Sequence, residues 1–238
     1  SLMIFAEPYK FQKLYSNKSN YFKKSLVEVD NIYASSDYCA CSIEKVMNLK
    51  VNTSTIYIGV DIEKYLINKD YELIKNLNIP KNAKIVLSLS RMNREMGYES
   101  VVQLANRILK KRKDVYFIMV GADGDMSNEV KKLANLNDNV ICKINIPANQ
   151  KASYYSIADV FIAPTEEVHA CMGVSIKEAM AASKSIVASK SGGIPEAIKD
   201  GENGFLVDFI DSRLDMDSFE DKVIKLLDDK ELSNEVST

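Results

Sequence analysis

The chain has 238 residues, which is long enough to bury one large hydrophobic core or two smaller ones. Hydrophobic residues make up 46% and charged residues 27% of the sequence, proportions typical of globular proteins and unlike those of disordered chains. The net charge of −2 excludes an overall basic field that would recruit nucleic acid, and no apolar run reaches the roughly 18 residues of a membrane span.

The first third of the chain gives weak structural signals. Residues 7–27 carry spaced aromatic side chains in a weakly amphipathic helical pattern. The pattern then predicts a short strand at 30–35, a helix at 42–49 and a second strand at 55–59. Residues 60–82 are predicted to form a connector.

From residue 84 onward, continuously apolar segments alternate with amphipathic ones. This alternation predicts parallel strands that helices cover on both faces. The predicted strands are 84–89, 115–120, 139–144, 159–163, 185–189 and 205–207. The predicted helices are 98–113, 127–136, 150–157, 174–182, 195–199 and 217–229. We therefore expect an α/β fold with a Rossmann-like, doubly wound parallel sheet.

Residues 159–207 contain two consecutive strand–loop–helix units, which place two helix N-termini at the same edge of the sheet. Unpaired N–H groups and partial positive charge at such termini suit a phosphorylated ligand. Gly192-Gly193 is expected to form a tight turn, and Glu196 to act as a charge at a helix start. The segment Gly121–Gly124 is too short for the dinucleotide G-x-G-x-x-G pattern, which argues against an NAD enzyme.

The four cysteines are Cys39, Cys41, Cys142 and Cys171. Cys39 and Cys41 form a C-x-C pair, but no second pair has metal-ligand spacing and the single histidine, His169, does not complete a zinc site. We therefore expect reduced, buried thiols in a cytosolic protein and no bound metal.

Residues 56–207 resemble the C-terminal half of the family 4 glycosyltransferases, which have the GT-B fold. The resemblance rests on the order and spacing of several short segments over about 150 residues. These segments are Gly59-Val60-Asp61, Arg91 after the strand at 84–89, the loop at 120–125, Ile157-Ala158-Asp159-Val160, Glu178-Ala179-Met180-Ala181, Gly192-Gly193-Ile194-Pro195-Glu196 and Asp200-Gly201-Glu202-Asn203-Gly204.

The resemblance implies transfer of a sugar from a nucleoside-diphosphate sugar to an acceptor with retained anomeric configuration, without a metal or other cofactor. It divides the chain into the end of an N-terminal acceptor domain (1–58), a connector (59–82), the nucleotide-sugar-binding domain (83–210) and a C-terminal helix (211–238). Most of the acceptor domain is then absent from the chain, so transfer by this chain alone is not expected. The acceptor, a glycan, lipid or protein, is not specified, and the expected location is the cytoplasm or the membrane periphery.

The resemblance also assigns site residues. Arg91 and Glu178 are the expected catalytic residues. Arg91 is expected to grip the donor diphosphate because a guanidinium binds phosphate bidentately, and Glu178 to accept hydrogen bonds from the ribose. Further contacts to the diphosphate are expected from Arg94 and from the backbone at Gly173, Val174 and Ser175, and contacts to the base from the backbone of Lys143 and Ile144.

Two positions depart from the family pattern. Ala170 stands where the family has the glutamate that holds the donor sugar, so Glu166 or Glu167 is the candidate substitute. Met96 stands where the family has a lysine, which leaves Arg94 as the nearby second cation. These departures keep two alternatives open: a divergent, non-catalytic partner subunit with a transferase-like fold, and another nucleotide-sugar enzyme such as an epimerase. Arg91 as a plain surface residue and Glu178 as a helix charge are the structural alternatives for the two catalytic candidates.

Overall fold

The structure is a computed structural model, and it describes residues 2–4, 24, 28–47, 52–166 and 171–237. The predicted helix at 7–27 lies outside the described residues, apart from Lys24. The strands are β1 (Leu2–Ile4), β2 (Ile32–Ala34), β3 (Thr53–Thr55), β4 (Lys84–Leu89), β5 (Val115–Gly121), β6 (Val140–Ile144), β7 (Val160–Ala163), β8 (Ser185–Ser189), β9 (Phe205–Val207), β10 (Phe209–Ile210) and β11 (Arg213–Leu214).

Helices connect most of these strands. They are α1 (Asp37–Met47), α2 (Ile62–Tyr65), α3 (Tyr71–Asn76), α4 (Tyr98–Lys111), α5 (Ser127–Leu136), α6 (Lys151–Ile157), α7 (Val174–Ala181), α8 (Ile194–Ala197), α9 (Met216–Asp228) and α10 (Lys230–Glu235). Two short 3-10 turns, Arg94–Met96 and Ala148–Gln150, precede α4 and α6.

The main sheet has six parallel strands in the order β6-β5-β4-β7-β8-β9. The chain builds outward from β4 to β6 on one side and then from β7 to β9 on the other, so the connections reverse direction between β4 and β7. In open α/β sheets a crevice forms at this switch point, outside the carboxyl ends of the strands. The topology therefore places the expected ligand site beyond Leu89 and Ala163, the last residues of β4 and β7.

Successive side chains of a strand point to opposite faces of the sheet. Both faces of this sheet are buried, each in its own hydrophobic core. Val86 and Met119 belong to the core that contains α4, α5 and α9, whereas Leu87 and Val120 belong to the core that contains α3, α6 and α7. This burial explains why the strands are continuously apolar, and it confirms the doubly wound α/β prediction. The bounds of α5 agree with the prediction for 127–136.

The first strands form a separate three-stranded parallel sheet in the order β1-β2-β3. The predicted strand at 55–59 is largely wrong, since β3 ends at Thr55. Its neighbour β2 ends at Ala34, which pairs with Thr55, so the ladder has no partner strand beyond that point. Ile56 and Tyr57 are consequently 45% and 50% exposed in an irregular connector.

Two other expectations for this region need correction. The predicted helix at 42–49 begins earlier, at Asp37, as helix α1. The connector at 60–82 contains α2 and α3, and Asp70 caps α3 by accepting a hydrogen bond from the Leu73 N–H at 2.9 Å.

Candidate functional site

A cavity of about 180 Å³ lies at the switch point of the main sheet. It is bounded by the residues that follow β4, by the residues that end and follow β7, by the start of α7 and by the end of β2. The lining residues used below are Ser35, Ser90, Met96, Thr165, Cys171, Gly173, Val174 and Ser175. The sequence prediction placed Gly173, Val174 and Ser175 at such a site, and the structure brings them together there.

Gly173 is the N-terminal cap residue of α7 and lines the cavity, so α7 begins there. The N–H groups in the first turn of a helix have no partner within the helix, and the helix dipole adds partial positive charge at that end. Val174 and Ser175, the first two residues of α7, both line the cavity. This wall of the cavity is therefore suited to an anionic group.

The two predicted arginines lie near the cavity but do not line it. Arg91 directly follows Ser90 and is exposed, and its guanidinium makes no hydrogen bond or ion pair with any residue that the structure describes. Arg94 is also exposed, but its guanidinium forms an ion pair with Glu99, and its N–H donates to Asp125 Oδ1 at 2.9 Å. Among the described residues, the Arg91 guanidinium therefore has no partner, whereas that of Arg94 is already paired with Glu99.

Met96, which was expected to replace a lysine of the family pattern, lines the cavity. Its side chain is half-buried and packs against the core beneath α4. The apolar wall at this point follows directly from the substitution that the sequence analysis noted.

Glu178 lies in the second turn of α7 and points into the protein, where it is only 5% exposed. Its Oε1 accepts hydrogen bonds from Tyr65 Oη at 2.6 Å and Lys151 Nζ at 3.1 Å. Its Oε2 accepts from Tyr155 Oη at 2.9 Å and from the same ammonium at 3.4 Å. These four bonds use the roughly four lone-pair positions of a carboxylate. The structure does not bring Glu178 to the wall of the cavity.

The tyrosines of this cluster are themselves buried. Tyr155 is fully buried, and its burial, together with the Glu178 carboxylate, raises the pKa of its hydroxyl well above the usual value. Burial and the same carboxylate also raise the pKa of Tyr65. Both hydroxyls therefore stay protonated and donate to Glu178 at any physiological pH. The cluster fastens the connector helix α2 to α6 and α7.

The candidate residues for contact with the donor sugar are Glu166, Glu167 and position 170. Glu167 and Ala170 lie outside the described residues. Glu166 is half-buried, and its Oε1 accepts a hydrogen bond from Ser100 Oγ at 2.6 Å. That carboxylate is held against the first turn of α4 and does not line the cavity.

The predicted base-binding residues, Lys143 and Ile144, end the edge strand β6. They lie at the same carboxyl edge of the sheet as the cavity but two strands away from β4, a separation of roughly 10 Å at the usual strand spacing.

Several contacts hold the N-terminal sheet against the main domain beside the cavity. The Glu196 carboxylate accepts hydrogen bonds from the N–H groups of Asp37 and Tyr38, both at 2.8 Å, and so caps the start of α1. Glu196 is a helix-start charge, as predicted, but the N–H groups that it binds belong to a distant helix. Lys177 Nζ donates to the Ile58 carbonyl at 2.5 Å, which ties α7 to the connector.

A disulfide joins Cys39 of α1 to Cys171, two residues before Gly173, with a Cα–Cα distance of 5.8 Å. Cys41 is exposed and Cys142 half-buried, and both are free thiols. The expectation of four reduced, buried thiols was therefore wrong. The C-x-C spacing gave no indication of this bond, because the partner of Cys39 lies 132 residues further along the chain. Disulfides persist mainly in oxidising compartments. This bond therefore does not support the predicted cytoplasmic location, which stays a prediction.

Sequence reasoning missed three participants in this region. Tyr65 and Lys151 bind Glu178 from segments predicted as connector and helix start, and no motif marks them. Ser35 lines the cavity at the end of β2. A polar residue directly after a parallel strand was the available signal for Ser35, since ligands bind at carboxyl ends of strands.

A second, larger groove of about 670 Å³ lies on the other side of α7. Tyr57 and the connector residues Ile62 and Leu66 line it, together with Lys177 and Met180 of α7. It borders the switch-point cavity, with which it shares Ile58 and Met172, but neither Val174 nor Ser175 of the first turn of α7 lines it. Its larger volume therefore does not make it the better anion site.

No helix in the described part of the chain is long and apolar enough to cross a membrane. Within the same residues, no group of three or more histidine, cysteine, aspartate or glutamate side chains is arranged to hold a metal ion.

A parallel sheet with a cavity at its switch point and a helix N-terminus in the cavity wall is the arrangement with which doubly wound α/β domains bind nucleotides and other phosphates. The family model described as glycosyl transferases group 1 matches residues 70–238. The chain therefore belongs to this family.

The chain is also similar to curated proteins. The chain is 28% identical to spore coat protein SA of Bacillus subtilis (strain 168) over 75% of this chain and 51% of that protein. It is also 28% identical to lipopolysaccharide 1,2-N-acetylglucosaminetransferase of Salmonella typhimurium over 73% of this chain and 47% of that enzyme. The chain thus spans about half the length of each of these relatives.

Solved structures confirm the fold. The structure of Anabaena Alr3699/HepE in complex with UDP and glucose superposes with a TM-score of 0.80 at 18% identity, covering 100% of this chain and 64% of that one. The C-terminal domain of the group 1 glycosyl transferase LpcC from Francisella tularensis gives a TM-score of 0.62 at 25% identity, over 76% of this chain and 93% of that domain. The predicted Rossmann-like domain of a GT-B glycosyltransferase is confirmed.

Proposed function

We propose that this chain carries the donor-binding half of a retaining, family 4 glycosyltransferase, which transfers a sugar from a nucleoside-diphosphate sugar to a glycan, lipid or protein acceptor. Family membership supports this proposal, as do the names of relatives that are sugar transferases. In this proposal residues 1–58 belong to the acceptor-binding domain, 59–82 connect the two domains, 83–210 bind the donor, and 211–238 form a C-terminal segment that contains β11, α9 and α10.

The observation that carries the proposal is the cavity at the start of α7. When the glycosidic bond of the donor breaks, the leaving diphosphate gains negative charge, and fixed dipoles and cations must stabilise it. The first-turn amides of Val174 and Ser175 supply the dipoles. Arg91, which follows the cavity-lining Ser90, is exposed and has no partner among the described residues, so it can supply the cation. We propose that these groups, rather than a metal ion, meet the diphosphate.

The dimensions decide which part of the donor the cavity takes. A volume of about 180 Å³ is smaller than the roughly 300–1,000 Å³ of pockets that enclose whole ligands. We therefore place only the diphosphate region in the cavity and extend the nucleoside along the carboxyl edge of the sheet toward β6. There the backbone of Lys143 and Ile144 would meet the base.

Glu178 can bind the ribose of the donor only if one of its present hydrogen-bond donors is released. Because Tyr65, Tyr155 and Lys151 already occupy its carboxylate, at least one of these donors must give way before a ribose hydroxyl can bind. Tyr65 belongs to the four-residue helix α2 of the connector and is the donor that a small movement would release.

The direct test is isothermal titration of the folded protein with UDP, GDP and ADP, using Gly173→Ala as the matched variant. The nearest atom to an added Cβ at Gly173 is Ile176 Cδ1 at 3.6 Å, an ordinary contact, so the methyl group meets no steric overlap. Because alanine is a poorer N-terminal cap than glycine, we expect the variant to stay folded with a free energy of unfolding lower by about 1–2 kcal/mol. The methyl group would stand where the phosphate approaches the α7 amides, and we expect nucleotide binding to weaken at least about 10-fold.

The wild-type protein is expected to bind at least one of the three nucleotides. Absence of binding to all of them at millimolar concentration would contradict the proposed function. Unchanged binding by Gly173→Ala would place the nucleotide elsewhere on the protein.

Met96 gives a gain-of-affinity test of the same cavity. A lysine at this position keeps an aliphatic stem for the half-buried part of the site and brings an ammonium to the cavity wall. We expect Met96→Lys to tighten UDP binding about 10-fold at low salt, from one added charge-assisted hydrogen bond. Titrations at two salt concentrations measure it, because the gain should shrink as salt screens the charge. Met96→Leu is the control without charge. UDP binding by Met96→Lys that is no tighter than that of the wild type would show that the loop between β4 and α4 does not face the phosphates.

A further inference from the structure

Ser35 directly follows β2 and is completely buried. Its Oγ has no hydrogen-bond partner among the residues that the structure describes, and no other buried side-chain polar atom in this part of the chain shares that state. Buried hydroxyl groups are nearly always hydrogen-bonded, so an unpartnered one calls for an explanation. The explanation lies in its position, because Ser35 lines the cavity that α7 opens into.

The end of β2 reaches the loop that leads into α7. A Cβ added at Gly193 would meet Ser36 Cβ at 2.9 Å and the carbonyl carbon of Cys171 at 3.4 Å, which shows how closely these three backbones approach. The Cys39–Cys171 disulfide joins the same two segments. Ser35 and the start of α7 therefore form walls of the same cavity.

We propose that Ser35 is a ligand-binding residue whose hydroxyl donates a hydrogen bond to the diphosphate of the nucleotide in this cavity. This inference rests on the proposed function and adds a contact from the N-terminal sheet. The diphosphate is then held from two sides, by the α7 amides of the main domain and by Ser35. Because Glu196 and the disulfide already fix the two segments together, little ordering is left for the ligand to impose.

The neighbouring serine provides a matched control. Ser36 is equally buried, but its Oγ accepts a hydrogen bond from the Cys39 N–H at 3.0 Å and thereby caps α1. Ser36 does not line the cavity. The Ser36 hydroxyl therefore has a hydrogen-bond partner within the fold. The Ser35 hydroxyl has none among the described residues, and Ser35 lines the cavity.

The experiment measures melting temperature and UDP binding for Ser35→Ala and Ser36→Ala in the full chain. Ser35→Ala should leave the melting temperature of the free protein unchanged or raise it, because it removes an unsatisfied buried group. It should weaken UDP binding about 5- to 10-fold, the value of one lost hydrogen bond. Inorganic pyrophosphate should compete with UDP less effectively in Ser35→Ala than in the wild type. Ser36→Ala should show the opposite pattern, with a lower melting temperature and unchanged UDP binding.

Each alternative outcome has a separate meaning. If Ser35→Ala binds UDP like the wild type while Gly173→Ala does not, the role of Ser35 is overturned and the proposed function stands. If Ser35→Ala lowers the melting temperature as Ser36→Ala does, the Ser35 hydroxyl has a partner in the fold and the inference is wrong. If the wild type binds neither UDP, GDP, ADP nor pyrophosphate, the proposed function falls and the role of Ser35 falls with it.

Discussion

Replacing Glu178 with alanine is expected to lower the free energy of unfolding by about 3 kcal/mol, from two lost tyrosine hydrogen bonds at about 1 kcal/mol each and the lost packing of a buried side chain. Tyr155 is fully buried and Tyr65 is 5% exposed, so water cannot readily replace the carboxylate at either hydroxyl. Lys151 is half-exposed and can turn to solvent, so its lost ion pair adds little. Urea denaturation measures the loss, which corresponds to a fall in melting temperature of about 6–12 °C for a chain of this length.

Two variants separate the contributions at this site. Glu178→Gln keeps the shape and one acceptor oxygen, so we expect roughly half the loss seen for alanine. Tyr65→Phe leaves the carboxylate in place and removes one of its donors, which frees an acceptor position on Oε1. If Glu178 also binds the ribose, Tyr65→Phe should bind UDP as well as or better than the wild type. A free energy of unfolding that Glu178→Ala leaves unchanged would contradict the buried cluster.

Replacing Gly97 with alanine is expected to cost about 2–4 kcal/mol of unfolding free energy, from the left-handed backbone and from a steric overlap. Gly97 has φ of 78° at the junction between the 3-10 turn and α4. An added Cβ would overlap the backbone carbonyl group of Pro164, so the loop after β4 and the loop after β7 would have to separate. Met96 and Thr165, which flank this contact, both line the cavity, so UDP binding should weaken as well.

Two other glycines divide this effect into its parts. Gly201 has φ of 80° but no atom within 4 Å of an added Cβ, so Gly201→Ala isolates the backbone cost of about 1 kcal/mol. Gly59 has neither a positive φ nor a neighbour within 4 Å, so Gly59→Ala should be nearly neutral. Denaturant unfolding of the three variants measures the series. A loss at Gly97 no larger than that at Gly201 would show that the two loops are not in contact.

The sequence predicted the main sheet well for a physical reason. A strand buried on both faces must be apolar at every position, and that pattern is visible without knowledge of its neighbours. The inner strands β4, β5, β7 and β8 are buried along almost their whole length, whereas the edge strand β6 carries the exposed Lys143. The predicted strand at 55–59 failed because its length depends on β2, whose own end is set by the start of α1.

The site was predictable only as far as its local chemistry. The glycine and first-turn amides of α7 belong to one continuous segment, and the structure places them at the cavity. The direction of the Glu178 side chain was not predictable, because Tyr65, Tyr155 and Lys151 approach it from two other helices. The Cys39–Cys171 bond and the unpartnered Ser35 hydroxyl depend on the packing of the N-terminal sheet against α7, which no short motif encodes.

A crystal structure of this chain grown with UDP would locate the diphosphate directly. We expect the diphosphate between Ser35 and the amides of Val174 and Ser175, with the uracil extending toward the end of β6. A diphosphate bound instead in the larger groove beside Tyr57 and Lys177, or a switch-point cavity left empty at saturating UDP, would contradict this expectation.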